Sequence, residues 1–493
     1  MIPVRWSSVR LLALAAGLAA VSAVPAVAER PSLLPAGWDA DIKLAEAPDR
    51  NPDPGIVEIE IVAKLAEVEV APGTRVTAWT YNGGLPGPLI RARVGDRLIV
   101  HFRNELEQET TIHWHGIRVP IEMDGVPGIS QPPVKTGETF VYDFVVPDSG
   151  LFWYHPHVMS AAQVGYGLYG PLLVEEPDED VGVADALTIV LSDIGIGPRG
   201  LLEPADSGGS AGMVFGREGN HVLVNGRVRP ELRARAGVPQ RWRIVNTAKS
   251  RFFFLDLEGQ TFIKIGGDGG IQEYSERKDV VLVTAGERVD LIVMPMGEPG
   301  GEITLRSLLY NRGYGSIEYR SVEDLFTIQF TDEAPLPAPV LPEMRRAIVP
   351  PAVEGATPVT MQFTLPPVDG KGESEFRING VPFWKAEPFK ARIGETQFWT
   401  LDNQTPWDHP FHLHGYFFMP VDEAGVPISP MEWKDTLNVP MNETIRLLVT
   451  FDERPGEWMI HCHILDHADG GLMGTVLVGD VKPSSHHTHV PPR

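Results

Sequence analysis

Cysteine is nearly absent from this chain. One of its 493 residues is Cys, at position 462, so neither an internal disulfide nor a multi-cysteine zinc site can be built. Positive charge is also short: 42 Lys and Arg against 65 Asp and Glu leave a net charge of −23, which argues against nucleic acid or an anionic membrane surface as partner. Beyond the N-terminus no stretch is apolar enough to span a bilayer. Helical heptads and nucleic-acid-binding motifs are missing as well. What is abundant is 50 Gly and 45 Pro, a composition that suits many short strands joined by turns. A chain of 493 residues is too long for one core and calls for about three domains.

The N-terminus reads as a secretory leader over residues 1–28. Arg5 and Arg10 precede the apolar run Leu11 to Val24, and Ala26-Val27-Ala28 has the form of a cleavage site. The expected location is periplasmic or secreted, with no stable membrane association.

The lone cysteine stands in His461-Cys462-His463, followed by His467. A thiolate is the soft ligand that selects copper in a site completed by imidazoles, and a trigonal arrangement of two His and one Cys marks a blue-copper site. In an extended segment alternate residues face opposite sides, so Cys462 would face one metal site while His461 and His463 face another. Three further segments repeat the theme: His113-Trp114-His115-Gly116, His155-Pro156-His157, and His409-Pro410-Phe411-His412-Leu413-His414-Gly415. The four segments hold ten of the 15 histidines. One such pair is ordinarily a structural feature of a strand; four in one chain, one of them carrying the only Cys, point to metal. By the same alternation Ile112 and Trp114 should turn to the core while His113 and His115 share the opposite face.

On these four segments the sequence resembles the multicopper oxidases, the family of laccases, ascorbate oxidase, bilirubin oxidase and the bacterial copper-efflux oxidases. The resemblance implies an all-β fold of three consecutive cupredoxin-like Greek-key β-sandwich domains, placed at 45–178, 185–335 and 352–480, with a His-containing tail at 481–493. It implies four copper ions. His409, Cys462 and His467 would hold the type 1 copper, and His113 and His412 the type 2. His115, His155 and His463 would hold one type 3 copper, and His157, His414 and His461 the other. The family's axial position falls ten residues after the Cys, on Leu472, with Met473 displaced by one. An apolar axial residue leaves the copper three-coordinate and disfavours Cu(II), so the potential should be high. Asp124, in Met123-Asp124-Gly125, matches the family's proton-delivering acid, although Asp-Gly is also a common turn. Relatives often carry a second acid directly after the last type 1 His; here that residue is Ala468, with Asp466 and Asp469 nearby.

Internal repeats support three domains independently. Tyr81 to Val100, His221 to Val245 and Phe376 to Leu401 each run Asn-Gly, strand, Gly-centred turn, strand, and Asn82, Asn225 and Asn379 lie 143 and 154 residues apart. Gly150 to Val174 also parallels Gly456 to Val478, setting His155 and His157 on His461 and His463, with Pro156 in the place of Cys462. The first and third domains therefore each supply two histidine pairs, and the second, lacking them, should act as spacer and scaffold. The stretch Pro335 to Pro351 would lead out of it. His101 and His221 read as strand residues, the tail residues His486, His487 and His489 as a terminus, and the acidic run Glu175 to Asp180 as a solvated turn.

Specificity should lie around His409 and His467. The chain has no Met between Met361 and Met419, and Thr405, Pro406, Trp407 and Asp408 precede His409. A Trp at the rim suits an aromatic donor, so the expected partners are O2 and a small phenol or aromatic amine acting on a monomer. Oxidation of Cu(I), Fe(II) or Mn(II) is the alternative. A copper-free scaffold is the remote one, because such relatives lose ligands and this chain keeps them.

Overall fold

Alternating segments become strands here because one face of each can be buried. Arg97–Asn104 buries Leu98, Val100, Phe102 and Asn104 and turns the residues between them outward. The computed structural model describes residues 30–177, 179–315, 317, 320–337, 346–365 and 375–484. The leader over residues 1–28, the tail histidines and residues 338–345 of the Pro-rich stretch lie outside the described residues.

Six sheets form three successive pairs. In the first pair, Thr74–Tyr81, Ile56–Ala71, Arg97–Asn104 and Thr139–Val145 face a sheet ordered Ile90–Arg93, Gly170–Glu175, Gly150–His155, His113–His115. The second pair spans His221–Val224 to Glu323–Phe330 together with Asp185–Ile194. In the third, Arg377–Ile378, Thr357–Thr364, Thr396–Asn403, Thr444–Thr450 and Phe418–Val421 face Phe389–Ala391, Met473–Val478, Gly456–Cys462, His409–Leu413 and Thr436–Val439. The expected all-β, three-sandwich architecture is what folds. Each sandwich has its own apolar core, built around Trp114 in the first, Trp242 in the second and Trp399 with Trp458 in the third, all fully buried. Aromatics of this size bury about 150–250 Å² each and dominate such cores.

The first and third sandwiches each place their histidines by an antiparallel pair of strands. His113–His115 pairs antiparallel with Gly150–His155, setting His113 opposite His155. His409–Leu413 pairs antiparallel with Gly456–Cys462, setting His412 opposite His461 and Phe411 opposite Cys462. Among the described residues no helix is long and apolar enough to cross a membrane. The acidic run at Glu175 to Asp180 is only partly the solvated turn expected: Glu179 is largely covered and binds Arg241 at 2.5 Å. His101, half exposed beside Glu58, and His221, bonded to Asn220, are strand residues outside the metal centres.

Candidate metal centres

Strand alternation sets up the first centre. Ile112 and Trp114 belong to the core of the first sandwich, while His113 and His115 face the third domain with ring centroids 6.0 Å apart. There they meet its histidines closely. His113 stacks on His414 and His115 on His412, each at 3.8 Å between centroids. His157 stands 5.0 Å from His414 and 5.3 Å from His461, and His463 stands 4.9 Å from His115 and 5.6 Å from His155. Eight imidazoles from two domains thus close on one volume.

Hydrogen bonds hold one nitrogen of most of these rings and leave the other bare. His113 Nδ1 donates to the Asp124 carbonyl at 2.7 Å, His412 Nδ1 to the Asp435 carbonyl at 2.9 Å, and His155 Nδ1 to the Pro156 carbonyl at 3.0 Å. His115 uses Nε2, 3.1 Å from Thr436 Oγ1 and 3.2 Å from Asp435 Oδ1. Left buried and unpartnered are His113, His155, His157 and His412 Nε2, His115 Nδ1, and both ring nitrogens of His463. His414 Nε2 and His461 Nε2 face each other at 3.0 Å. Buried polar atoms in this number are otherwise costly, and bare lone pairs oriented by bonds at the far nitrogen are what metal-binding imidazoles present. Burial, reinforced by neighbouring imidazoles, pushes His115, His155, His157, His414 and His463 well below the ordinary histidine range and His461 down to about 3. These six rings are therefore neutral and free to ligate at pH 7. The nitrogens of His157, His414 and His461 converge as one set, and those of His113, His115 and His155 as another.

The second centre lies wholly in the third domain. Cys462 Sγ is 3.4 Å from His409 Nδ1 and 3.8 Å from His467 Nδ1, and the two nitrogens are 3.1 Å apart. The far nitrogens are fixed: His409 Nε2 by Thr405 Oγ1 at 2.7 Å, His467 Nε2 by the Val214 carbonyl at 3.0 Å. Burial pushes the Cys462 thiol up and His409 down to about 3; a bound cation reverses that preference for the thiol. Leu472 packs in the same apolar cluster as Cys462, whereas Met473 joins a different cluster with Phe383 and Met459. Both donor sets fit copper in number, softness and burial.

Four acids take definite places around the two centres. Asp124 lies between the domains, its Oδ1 3.3 Å from His113 Nδ1 and its Oδ2 accepting from His414 Nδ1 at 2.9 Å. Asp435, missed by the sequence reading, does the same at the other end with His115 and His412. Asp466 turns away from the histidine cluster to bind Arg217. Asp469 instead lines a cavity of about 50 Å³ that reaches His157 and His461; burial pushes its carboxyl up to about 7. The second domain is also more than a spacer, because its short helix Gly209–Phe215 covers the Cys462 centre with the Val214 carbonyl.

Known proteins show the same organisation. Family models described as multicopper oxidase match residues 63–179, 186–302 and 353–482. The chain is 30% identical over 507 residues to the multicopper oxidase MmcO of Mycobacterium tuberculosis, across 93% of this chain and 94% of that protein. Among solved structures, a Campylobacter jejuni multicopper oxidase titled a metallo-oxidase aligns with a TM-score of 0.78 at 29% identity, covering 89% of this chain and 94% of that one. A laccase-like multicopper oxidase from the lignin-degrading bacterium Ochrobactrum sp., titled as acting on lignin model compounds, aligns at 0.73 with 25% identity, covering 88% and 100%. Together with two converging sets of soft and imidazole ligands, these matches identify the chain as a member of the multicopper oxidases, copper-dependent oxidoreductases that use O2 as acceptor.

Proposed function

We propose that this oxidase takes single electrons from small phenols and aromatic amines, with His409, Cys462 and His467 as type 1 ligands and the eight remaining histidines dividing among the type 2 and type 3 ions as the family resemblance assigns them. When bound, the four coppers supply one-electron acceptance at the first site and four-electron reduction of O2 at the second. Four donors each give one electron, and four electrons with four protons turn one O2 into two waters. The protein's part is placement. Cys462 presents Sγ to the first site while its chain neighbours His461 and His463 face the second. Asp124, whose Oδ1 has no other hydrogen-bond partner, is suited to pass protons beside His113 and His414. Leu472 packs in the apolar cluster that holds Cys462; having no donor atom, it would leave a bound copper to the two imidazoles and the thiolate.

The observation that carries the donor class is an aromatic surface above the first site. Phe215, 42% exposed, meets Trp407 edge-on at 5.9 Å, directly after Val214, whose carbonyl holds His467. A planar donor resting there has a short bonded route inward. Asp408 gives no support to the metal-ion alternative suggested by the Campylobacter title, because it is buried and taken by Tyr310, Asn438 and the Met441 amide. Export of the chain, on the leader over residues 1–28, belongs to the same proposal.

Steady-state oxidation by Phe215→Ala and Trp407→Ala tests the reading. KM for a dimethoxyphenol should rise several-fold, with ferrocyanide turnover unchanged. A wild-type enzyme that oxidises Cu(I) or Fe(II) readily and no phenol at all would refute it.

A further inference from the structure

The second domain donates no copper ligand, yet one of its turns touches the histidine cluster. Gly286 and Arg288, in Ala285-Gly286-Glu287-Arg288, are the residues concerned. Gly286 has φ +86°, and a Cβ there would lie 2.8 Å from His463 Cγ. The Arg288 side chain is 1% exposed and reaches all three domains. Its Nε donates to the Leu151 carbonyl of the first at 3.0 Å, and Nη1 and Nη2 donate to the Gly286 and Asp268 carbonyls of the second, each at 3.1 Å. Both terminal nitrogens also grip the Asp435 carboxylate of the third, Nη1 to Oδ1 at 2.8 Å and Nη2 to Oδ2. An arginine has five N–H donors, and each has a partner here.

We propose that Arg288 is a positioning residue through which the second domain sets the geometry of the trinuclear copper site, acting on His115 and His412 by way of Asp435. Asp435 Oδ1 lies 3.2 Å from His115 Nε2 and 3.3 Å from His412 Nδ1. Thr436 Oγ1 donates to the same oxygen at 2.8 Å. This carboxylate therefore orients one imidazole from each outer domain, and the bidentate arginine fixes the carboxylate.

The clamp also decides what Asp435 does chemically. Its oxygen and the nitrogens of His115 and His412 lie close enough to share one metal ion. With both oxygens held by a guanidinium, Asp435 is kept as an acceptor for imidazole N–H groups rather than a fourth type of ligand. Asp124, the matching acid at the opposite end, makes no bond to Arg or Lys among the described residues and keeps Oδ1 without a hydrogen-bond partner. The two acids thus divide their tasks, one clamped for geometry and one left with a spare oxygen. The clamp further accounts for the glycine after His115. At Gly116, φ +89°, a Cβ would lie 2.3 Å from Arg288 Nη2 and 2.8 Å from Asp435 Oδ2.

The proposal rests on the ligand assignment above, and copper analysis of the wild type separates the two: fewer than four coppers per chain there counts against the assignment, not the clamp. On copper-loaded full-length protein, Arg288→Gln should keep the intense blue band of the type 1 centre. It should lose or reshape the type 2 electron paramagnetic resonance signal and slow reoxidation by O2 by about ten- to a hundredfold, the usual range for a group that orients metal ligands. Arg288→Lys, which keeps charge but not the fork, should recover part of the signal. If Arg288→Gln does not fold, Gly116→Ala perturbs the same guanidinium without changing charge and should reshape the type 2 signal while leaving the blue band as it is. A wild-type type 2 signal in whichever of these variants folds, or equal loss of type 1 and cluster copper, would overturn the proposal.

Discussion

Leu472 shows how much one side chain can decide. It lies 1% exposed among the apolar residues around Cys462, while Met473 packs in a separate cluster with Phe383 and Met459. Leu472→Met should therefore lower the type 1 potential, because a thioether at the axial position stabilises Cu(II). A redox titration checks this, with Met473→Leu as the comparison that should leave the potential where it is. At this scale the sequence was most informative about which histidines gather, since His-x-His and His-Cys-His spacing converts directly into facing by strand alternation. It was least informative about the residues that orient them. Asp435 sits 21 residues beyond the nearest cluster histidine, His414, and nothing local sets it apart from any other acid. Its role exists only because Thr436–Val439 pairs beside His409–Leu413. Asp466 and Asp469 stand three residues apart on one short helix, and only the packing around that helix tells which of them meets the cluster cavity.

Among the elements, the segment that follows the helix Gly209–Phe215 explains how a ligand-free domain bears on a copper site. Glu218 anchors it. Burial alone would raise this carboxyl, but the Arg251, Arg312 and Arg320 guanidiniums overcome burial and hold it down to about 2. A folded-state value below the ordinary one means that ionised Glu218 adds stability above about pH 4.5, and that this contribution is lost as pH falls toward 2. Glu218→Gln should accordingly lower the melting temperature at pH 7, and the gap from wild type should narrow below pH 4 in calorimetry. A gap of constant size across that range would show that the charge is not what anchors the segment. The sequence offered no sign of this element, because a turn of helix inside a β-domain lacks the length for a periodic pattern. The strands were legible because their alternation extends over several residues, as in Arg97–Asn104.

Across the whole molecule, the repeats at Asn82, Asn225 and Asn379 made the three domains countable in advance, but their mutual contacts could not be read from any one repeat. Four of the eight cluster histidines come from the first domain and four from the third, so on the proposed ligand assignment copper binding and the docking of these domains would be one equilibrium. A ligand that binds only the docked form adds about 2.7 kcal/mol of stability at a hundredfold excess over its Kd. Chelating the copper should thus lower the calorimetric transition of the first and third domains together and leave the second closest to its original temperature. Identical traces with and without copper would contradict this. The Cys462 centre is different in kind, since His409, Cys462 and His467, the three side chains proposed to bind there, belong to one domain and it joins His461 and His463 through a single stretch of backbone. Loosening the interface between the first and third domains would leave the electron entrance intact while pulling the oxygen end apart. A slightly opened enzyme would then go on collecting electrons without being able to discharge four of them together, and partly reduced oxygen would be the hazard. Tight closure of the three domains is on this account a safeguard as well as a scaffold.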